Sequence, residues 1–172
     1  EGQPEFRLAA AQDAKWKGLR ILGGEFEHPD RLECVRTRET KVLKTKDGKG
    51  CELVTAPLTR GDILPGVTRQ SILELAREWK DGEADAWEGE LTVSERWLTM
   101  KEVSECRDEG RLLEAFGAGT AVVVSPISNI MYGEDDIAVP TGDKVGAFTE
   151  KVWKTITSIQ TGKIQHEWSV KV

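Results

Sequence analysis

This 172-residue chain has only three cysteines and fewer basic than acidic residues. Long apolar runs are also lacking. Three cysteines at scattered positions, Cys34, Cys51 and Cys106, favour free thiols in a reducing compartment over a disulfide framework or a zinc site. A formal net charge of -6 argues against nucleic acid as a partner, because neutralising phosphates takes clustered lysine and arginine. No apolar run approaches the roughly 20 residues that cross a bilayer, and no signal-peptide core is found. We therefore expect an intracellular protein without a membrane span.

Metal and hydrolase chemistry also lack support in the sequence. The two histidines, His28 and His166, have no partner ligands at metal spacing, and no serine stands in a nucleophile-elbow context. The acidic run from Glu134 to Asp136 lacks the alternating pattern of a calcium loop. No metal site is therefore predicted. What remains is a chain of single-domain length with 38% hydrophobic and 31% charged residues, a composition typical of globular proteins.

The patterning divides the chain into two parts. Residues 1–40 are charged and interrupted by glycine and proline, so we expect a weakly ordered or divergent extension there. Residues 41–172 alternate strand-like and helix-like segments, which predicts a mixed α/β (α+β) domain. A β-hairpin with a type I′ turn is predicted around Asp47 and Gly48, since both central residues of that turn need a positive φ.

Three helices are predicted from apolar spacing and from capping residues. The first takes Thr68 as its N-cap, and the second begins at the capping-box pair Thr99 and Glu102 and ends at Gly110. A third ends at Gly162. The buried faces are expected at Ile72, Leu73, Ala76 and Trp79 in the first helix and at Phe148, Val152, Ile156 and Ile159 in the third.

Strands are predicted from three further segments. "RLLEAFG" and "AVVVSPI" are the first two, and the unbroken apolar run from Ala121 to Val124 predicts burial on both faces of a sheet. The final segment "EWSVKV" is expected to be a short closing strand. Together with the hairpin, these strands alternate with the three helices along the chain.

Two segments rich in glycine and threonine are candidates for binding an anion. In "ILPGVTR", Gly66 precedes a helix start, where free N–H groups and the helix dipole attract phosphate, although an ordinary helix start has the same sequence. In "FGAGTAVVVSP", Gly117 and Gly119 allow close backbone approach and Thr120 offers a hydroxyl and an N–H. The structural alternative for the second segment is a tight bend between two strands.

The order of these segments and their surroundings resembles a known family. "LVTAPL", "DILPGVTRQSILELAREW", "SERWLTM", "GRLLEAFGAGTAVVVSPISNIMYG", "VPTG" and "TSIQTGKI" are similar to consecutive parts of the carboxy-terminal large domain of branched-chain amino acid aminotransferases. These are pyridoxal 5'-phosphate (PLP) enzymes of fold type IV, the D-amino acid aminotransferase-like architecture. The resemblance covers residues 44–172 and implies that residues 41–172 form a truncated, aminotransferase-like large PLP-binding domain.

The resemblance also implies roles for individual residues. Leu64 would pack against the cofactor ring, the backbone amides of Val67 and Thr68 would bind the cofactor phosphate, and the Thr120 hydroxyl would join them. The amides of Thr120 and Ala121 would meet the substrate carboxylate. The implied reaction moves the amino group of leucine, isoleucine or valine to 2-oxoglutarate, so small amino and 2-oxo acids are the expected partners. A homodimer and a cytoplasmic or mitochondrial location are implied as well.

Departures from the family pattern concern the catalytic groups. The family's lysine motif, Lys-x-Gly-Gly-Asn-Tyr, has only a distant echo in "AKWKGLRILGGEF", where Lys15 and Lys17 stand at the wrong spacing. The glutamate motif and the small amino-terminal domain are missing, and Glu39 is not in the motif's context. No catalytic residue is therefore assigned, and we expect no turnover by this chain alone. The alternative is a non-catalytic PLP-binding, ligand-binding or oligomer-forming module. Arg69 is expected to be structural or solvent-exposed.

Overall fold

Seven strands and three α-helices make up the part of the chain that the computed structural model describes. The described residues are 19–22, 39–60, 63–79, 86–132 and 134–169. In chain order the elements are β1 (Leu19–Leu22), β2 (Thr40–Lys44), β3 (Gly50–Thr55), α1 (Val67–Glu78), β4 (Glu90–Glu95), α2 (Met100–Asp108), β5 (Leu112–Gly119), β6 (Val123–Tyr132), β7 (Asp135–Ala138) and α3 (Ala147–Gln160). A 3₁₀ turn, Leu58–Arg60, lies between β3 and α1. Within these ranges, no helix combines the length and apolar character that a bilayer crossing requires.

All seven strands form one mixed sheet with the order β1-β6-β5-β2-β3-β4, and β7 pairs with β6. The β1·β6 and β3·β4 pairs are parallel, whereas the other pairs are antiparallel. The parallel pair β3·β4 is joined through α1, as parallel neighbours require a crossover connection. This combination confirms the predicted mixed α/β class.

Helices cover both faces of the sheet. On one face, Ile72 and Leu73 of α1 and Phe148 of α3 share a core with Leu53 and Phe116 of the sheet. On the other face, α2 packs its buried side chains against a second group of sheet residues. The predicted faces of α1 and α3 are confirmed: Ile72, Leu73, Ala76, Phe148, Val152, Ile156 and Ile159 are buried, and Trp79 packs partly buried against the same core.

The hairpin prediction is right about the pairing and wrong about the turn. β2 and β3 are antiparallel neighbours, but only Gly48 of the two turn residues has a positive φ, of 71°. The loop is longer than the two-residue type I′ turn, since the hydrogen bond that closes it joins Thr45 N to Gly50 O, 2.9 Å apart. Asp47 instead accepts hydrogen bonds through Oδ1 from the Thr45 hydroxyl at 2.6 Å and from Lys49 N at 3.1 Å.

The start of α1 lies two residues before the predicted N-cap. Gly66 is the N-cap, and Gln70 N donates to Gly66 O over 3.1 Å, so Thr68 belongs to the first helical turn. The start of α2 is as predicted, because the Thr99 hydroxyl accepts a hydrogen bond from Glu102 N at 3.1 Å. Gly110 follows this helix with a φ of 67°, a conformation that favours glycine at a helix end.

Other strand predictions need correction. The run from Ala121 to Val124 is not buried on both faces, because residues 120–122 form the turn between β5 and β6, and Val122 is 53% exposed. Residues 167–169 of the expected closing strand are not in a strand, and residues 170–172 lie outside the described residues. Within residues 1–40, the structure describes 19–22, 39 and 40, and β1 pairs in parallel with β6. The rest of that predicted extension lies outside the described residues.

Candidate functional site

The register of the sheet brings the two candidate loops to the same edge. Lys41 of β2 lies opposite Val54 of β3 on one side and opposite Ala115 of β5 on the other. Both pairings are antiparallel, so β3 and β5 run in the same direction with β2 between them. β3 ends at Thr55, whereas β5 continues beyond Phe116, the partner of Thr40, to Gly119. The segment that leads into α1 leaves from the end of β3, and the β5–β6 turn leaves from the end of β5. Loops at the carboxyl edge of strands are frequent ligand sites in α/β sheets.

The start of α1 is open and free of side-chain caps. Gly66 has extended backbone angles, no side-chain hydrogen bond caps the helix, and its first turn contains no acidic residue. The amides of Val67 and Thr68 therefore lack an acceptor within the helix, and the helix dipole makes this end positive. A Cβ built on Gly66 meets nothing within 4 Å, and the side chains of Leu64 and Val67 are 86% and 82% exposed. A phosphate group fits this donor set and this open space.

Arg69 ties this helix start to the sheet edge. Its Nη2 donates to Ala56 O and to Glu95 Oε2, each over 2.8 Å. Ala56 follows β3 directly and Glu95 is the last residue of β4, so the first turn of α1 lies at the ends of both strands. Hydrogen bonds from Arg69 and then Arg77 lower the pKa of the Glu95 carboxyl. The expected structural role of Arg69 is confirmed, since its side chain is 10% exposed.

The β5–β6 turn carries the other predicted site residues. Thr120 and Ala121 are exposed, and added Cβ atoms on Gly117 and Gly119 meet nothing within 4 Å. Val123, which follows the turn, has a φ of 61°, and this left-handed conformation is strained for a β-branched residue. The structure thus shows the tight bend that was the structural alternative, and this bend follows the carboxyl end of β5.

A buried lysine, Lys41, lies opposite Val54 near the end of β3, and sequence reasoning did not select it. The side chain of Lys41 is 0% exposed, and its Nζ donates to Glu39 Oε2 at 3.0 Å and to Glu39 O at 3.2 Å. Burial lowers the pKa of Lys41, and the charge of Glu39 opposes that change. Val42 next to it faces the core of α1, so Lys41 points to the opposite face. Lys15 and Lys17 lie outside the described residues.

Metal-binding and thiol chemistry find no support in the described ranges. No group of three histidine, cysteine or carboxylate residues among them could hold a metal ion. Cys51 and Cys106 are free and buried, and burial raises the pKa of both thiols. The ring of His166 packs against Trp168, 4.2 Å between centroids. Cys34 and His28 lie outside the described residues.

Comparisons with known proteins point to one enzyme family, although no family model matches the chain. The mitochondrial branched-chain-amino-acid aminotransferase of Rattus norvegicus is 36% identical over 165 residues, which are 96% of this chain and 39% of the relative. The cytosolic enzyme of the same organism is 42% identical over 127 residues, 74% of this chain and 28% of the relative. The chain therefore spans well under half the length of these relatives.

A solved structure shows the same fold. The branched-chain amino acid aminotransferase of Escherichia coli superposes with a TM-score of 0.52 at 26% sequence identity, covering 78% of this chain and 38% of that one. Sequence and structure thus agree on the family to which this chain is similar. In both comparisons the match covers only part of each relative's length.

Proposed function

We propose that this chain, which is homologous to branched-chain aminotransferases, provides the phosphate-binding part of a PLP-dependent aminotransferase and does not transfer amino groups by itself. The observation that carries the proposal is the uncapped, exposed start of α1 at the ends of β3 and β4. PLP is the cofactor of this enzyme family, and when bound it supplies an electron sink for chemistry at the amino acid α-carbon.

The proposed binding roles follow from the donors at this edge. The amides of Val67 and Thr68 are oriented to bind a phosphate, and the Thr120 hydroxyl in the neighbouring turn can add a further donor. Leu64 offers an exposed apolar side chain to an aromatic ring. The amides of Thr120 and Ala121 are proposed to bind the carboxylate of an amino acid, and the relatives' names point to leucine, isoleucine or valine. Binding at this edge needs no metal ion.

The absence of turnover is proposed from the missing lysine motif. A Schiff base to the cofactor needs an accessible amine beside the phosphate site. Lys41 is fully buried and points to the face of the sheet opposite α1, so it does not meet that requirement. The relatives include mitochondrial and cytosolic enzymes, and we infer an intracellular location in one of these compartments.

A matched pair of substitutions at the start of α1 tests phosphate binding. Val67→Pro removes one amide donor at a position where proline suits a helix, and the extended Gly66 before it is compatible with proline. Val67→Ala keeps the amide and removes the side chain. We expect Val67→Pro to weaken PLP binding about tenfold, the value of one charge-assisted hydrogen bond, and Val67→Ala to leave it within about threefold. Absorbance titration measures both.

Two further measurements decide the other parts of the proposal. Pyridoxal, which lacks the phosphate, should bind at least about tenfold more weakly than PLP if the helix start recognises the phosphate. Borohydride reduction followed by peptide mass mapping should find no lysine modified in stoichiometric yield. Equal binding of pyridoxal and PLP would refute the phosphate site, and sustained amino transfer from leucine to 2-oxoglutarate would refute the lack of turnover.

A further inference from the structure

We propose that Arg69 is a positioning residue, whose guanidinium holds the first turn of α1 against the sheet and so sets the placement of the phosphate-binding amides. This inference rests on the proposed function of the same site. Arg69 itself needs no contact with the phosphate, because its Nη2 is already engaged by Ala56 O and Glu95 Oε2.

The geometry explains why such a tie is needed. Helix starts are commonly fixed by a serine, threonine, aspartate or asparagine at the N-cap, but Gly66 offers no side chain. The connection from β3 to α1 runs from residue 56 to residue 66, so no short loop fixes the helix start relative to the strand. Arg69 connects the two ends of this connection directly, because it donates to the carbonyl of Ala56, the residue that follows β3.

The charges around Arg69 also favour an anion at this edge. Glu95 accepts from Arg69 at 2.8 Å and from Arg77 at 2.6 Å, so one carboxylate faces two guanidinium groups. Arg77 is exposed and lies in the last turn of α1, so the charge nearest the open helix start is that of Arg69, in the first turn. The Nε of Arg69 is buried without a hydrogen-bond partner among the described residues, so one N–H donor of this guanidinium is unsatisfied there. Positive charge in a half-buried position strengthens the attraction of a helix start for phosphate.

The two arginines provide a matched pair of variants. Arg69→Met and Arg77→Met each remove one guanidinium from Glu95, but only the first removes the contact with Ala56. We expect Arg69→Met to speed amide exchange in residues 63–70 and to lower the ratio of PLP to pyridoxal affinity, each about tenfold. Arg77→Met should change both quantities by less than about threefold, because its contact with Glu95 is solvent-exposed. Amide exchange by NMR and absorbance titration measure them.

Conservative variants separate position from charge and from folding. Arg69→Lys keeps a donor that can reach one acceptor, and it should restore at least part of both quantities. Glu95→Gln keeps the contact with Ala56, so amide exchange in residues 63–70 should stay near the wild-type rate. This variant still tests the inference if Arg69→Met fails to fold. Equal effects of Arg69→Met and Arg77→Met, or normal exchange in Arg69→Met, would overturn the inference. If wild-type protein binds PLP no better than pyridoxal, the proposed function fails, while the exchange rates still decide the role of Arg69.

Discussion

Glu114 shows how a single buried carboxylate determines where a helix begins. Its two oxygens accept hydrogen bonds from Phe148 N at 2.9 Å, Thr149 N at 2.9 Å and the Thr149 hydroxyl at 2.7 Å. These donors belong to the first turn of α3, which otherwise begins at Gly146 without a side-chain cap. A carboxylate on β5 thus supplies the capping acceptors that the helix sequence itself lacks.

Replacing Glu114 by glutamine should be strongly destabilising. Glutamine has one acceptor oxygen, and its amide group would present donors to a buried N–H. We expect Glu114→Gln to lower the free energy of unfolding by about 2 kcal/mol. Glu150→Gln is the control in the same helix turn, since Glu150 pairs with Lys154 on the surface and its loss should change stability by no more than about 0.5 kcal/mol. Urea denaturation compares the two, and equal effects would contradict the capping role.

Two glycines with the same backbone conformation should respond differently to alanine. Gly66 and Gly146 are both N-caps with a φ of -69°. A Cβ on Gly146 would overlap the carboxylate of Glu114, whereas a Cβ on Gly66 meets open space. We expect Gly146→Ala to lower the free energy of unfolding by about 2 kcal/mol or more, and Gly66→Ala by less than about 1 kcal/mol. Thermal or urea unfolding of both variants tests this difference. Equal losses of unfolding free energy would show that the overlap with Glu114 does not matter.

Between elements, Arg96 joins the sheet to α2. It follows β4, and its guanidinium donates to both carboxylate oxygens of Glu52 on β3, at 2.8 and 2.9 Å, and to Glu102 of α2 at 2.8 Å. Hydrogen bonding to Arg96 is the main reason why the pKa of Glu52 is lowered, and burial opposes it. The sequence predicts Glu102 as half of a capping box, but its carboxylate accepts hydrogen bonds from Arg96.

This contact predicts a loss of stability in acid. The folded-state pKa of Glu52 lies below 4.5, the ordinary value, so its contribution is fully present above that pH. It is lost as the pH falls through the lower, folded-state pKa. We expect unfolding free energy to decline below about pH 4.5, and Arg96→Met to make that decline shallower. Lys154→Met, which removes only an exposed ion pair, should keep the wild-type slope. Denaturant titrations between pH 3 and 7 would show equal slopes if Arg96 were uninvolved.

The sequence predicts those elements whose signals are local. Apolar spacing and caps identify all three helices, because their buried faces and end residues lie within a few turns of each other. It missed β4 and β7, which become strands by pairing with β3 and β6. It also misjudged the run from Ala121 to Val124, because an apolar run does not reveal that it begins with a turn.

The site was predictable only in part, for the same reason. Glycine and threonine at a helix start and in a second segment could be found from sequence. Their arrival at one edge depends on β2 lying between β3 and β5, which is a property of the sheet order. The contacts of Arg69 join residues 69, 56 and 95. No local pattern predicts such contacts, so the fold was needed to find them.

For the whole molecule, exposed apolar side chains at the candidate site suggest a covered surface. Leu64, Val67 and Val122 are 86%, 82% and 53% exposed. Leu64 and Val67 lie at the start of α1 and Val122 lies in the β5–β6 turn, and exposed apolar groups beyond the carboxyl ends of sheet strands can mark an interface. The relatives of this chain are about two to three times as long, so they contain additional polypeptide that could cover the corresponding surface in them. For the purified chain we predict that a second copy covers this surface, which agrees with the homodimer implied by the family resemblance.

Concentration-dependent self-association is therefore expected for the purified chain. Leu64→Ser combined with Val122→Ser should shift the population towards monomer by at least about tenfold in dissociation constant, because two apolar side chains leave the proposed interface. Ile164→Ser is the control, since Ile164 is also exposed, at 44%, but follows α3. Sedimentation velocity over a range of concentrations measures the equilibrium. Identical association of the double variant and the control would place the contact elsewhere.

The parallel pairing of β1 with β6 has a consequence for the order of events during synthesis. Leu19 lies opposite Ile127, so the partner of β1 leaves the ribosome about a hundred residues later. At roughly 5–20 residues per second, the first strand waits for about 5 to 20 seconds without its neighbour. The hairpin of β2 and β3 can form much earlier, because its strands are adjacent in sequence. Of the described strands, β1 is thus translated first and is among the last to be paired, and during that interval chaperones and proteases compete for an unpaired strand.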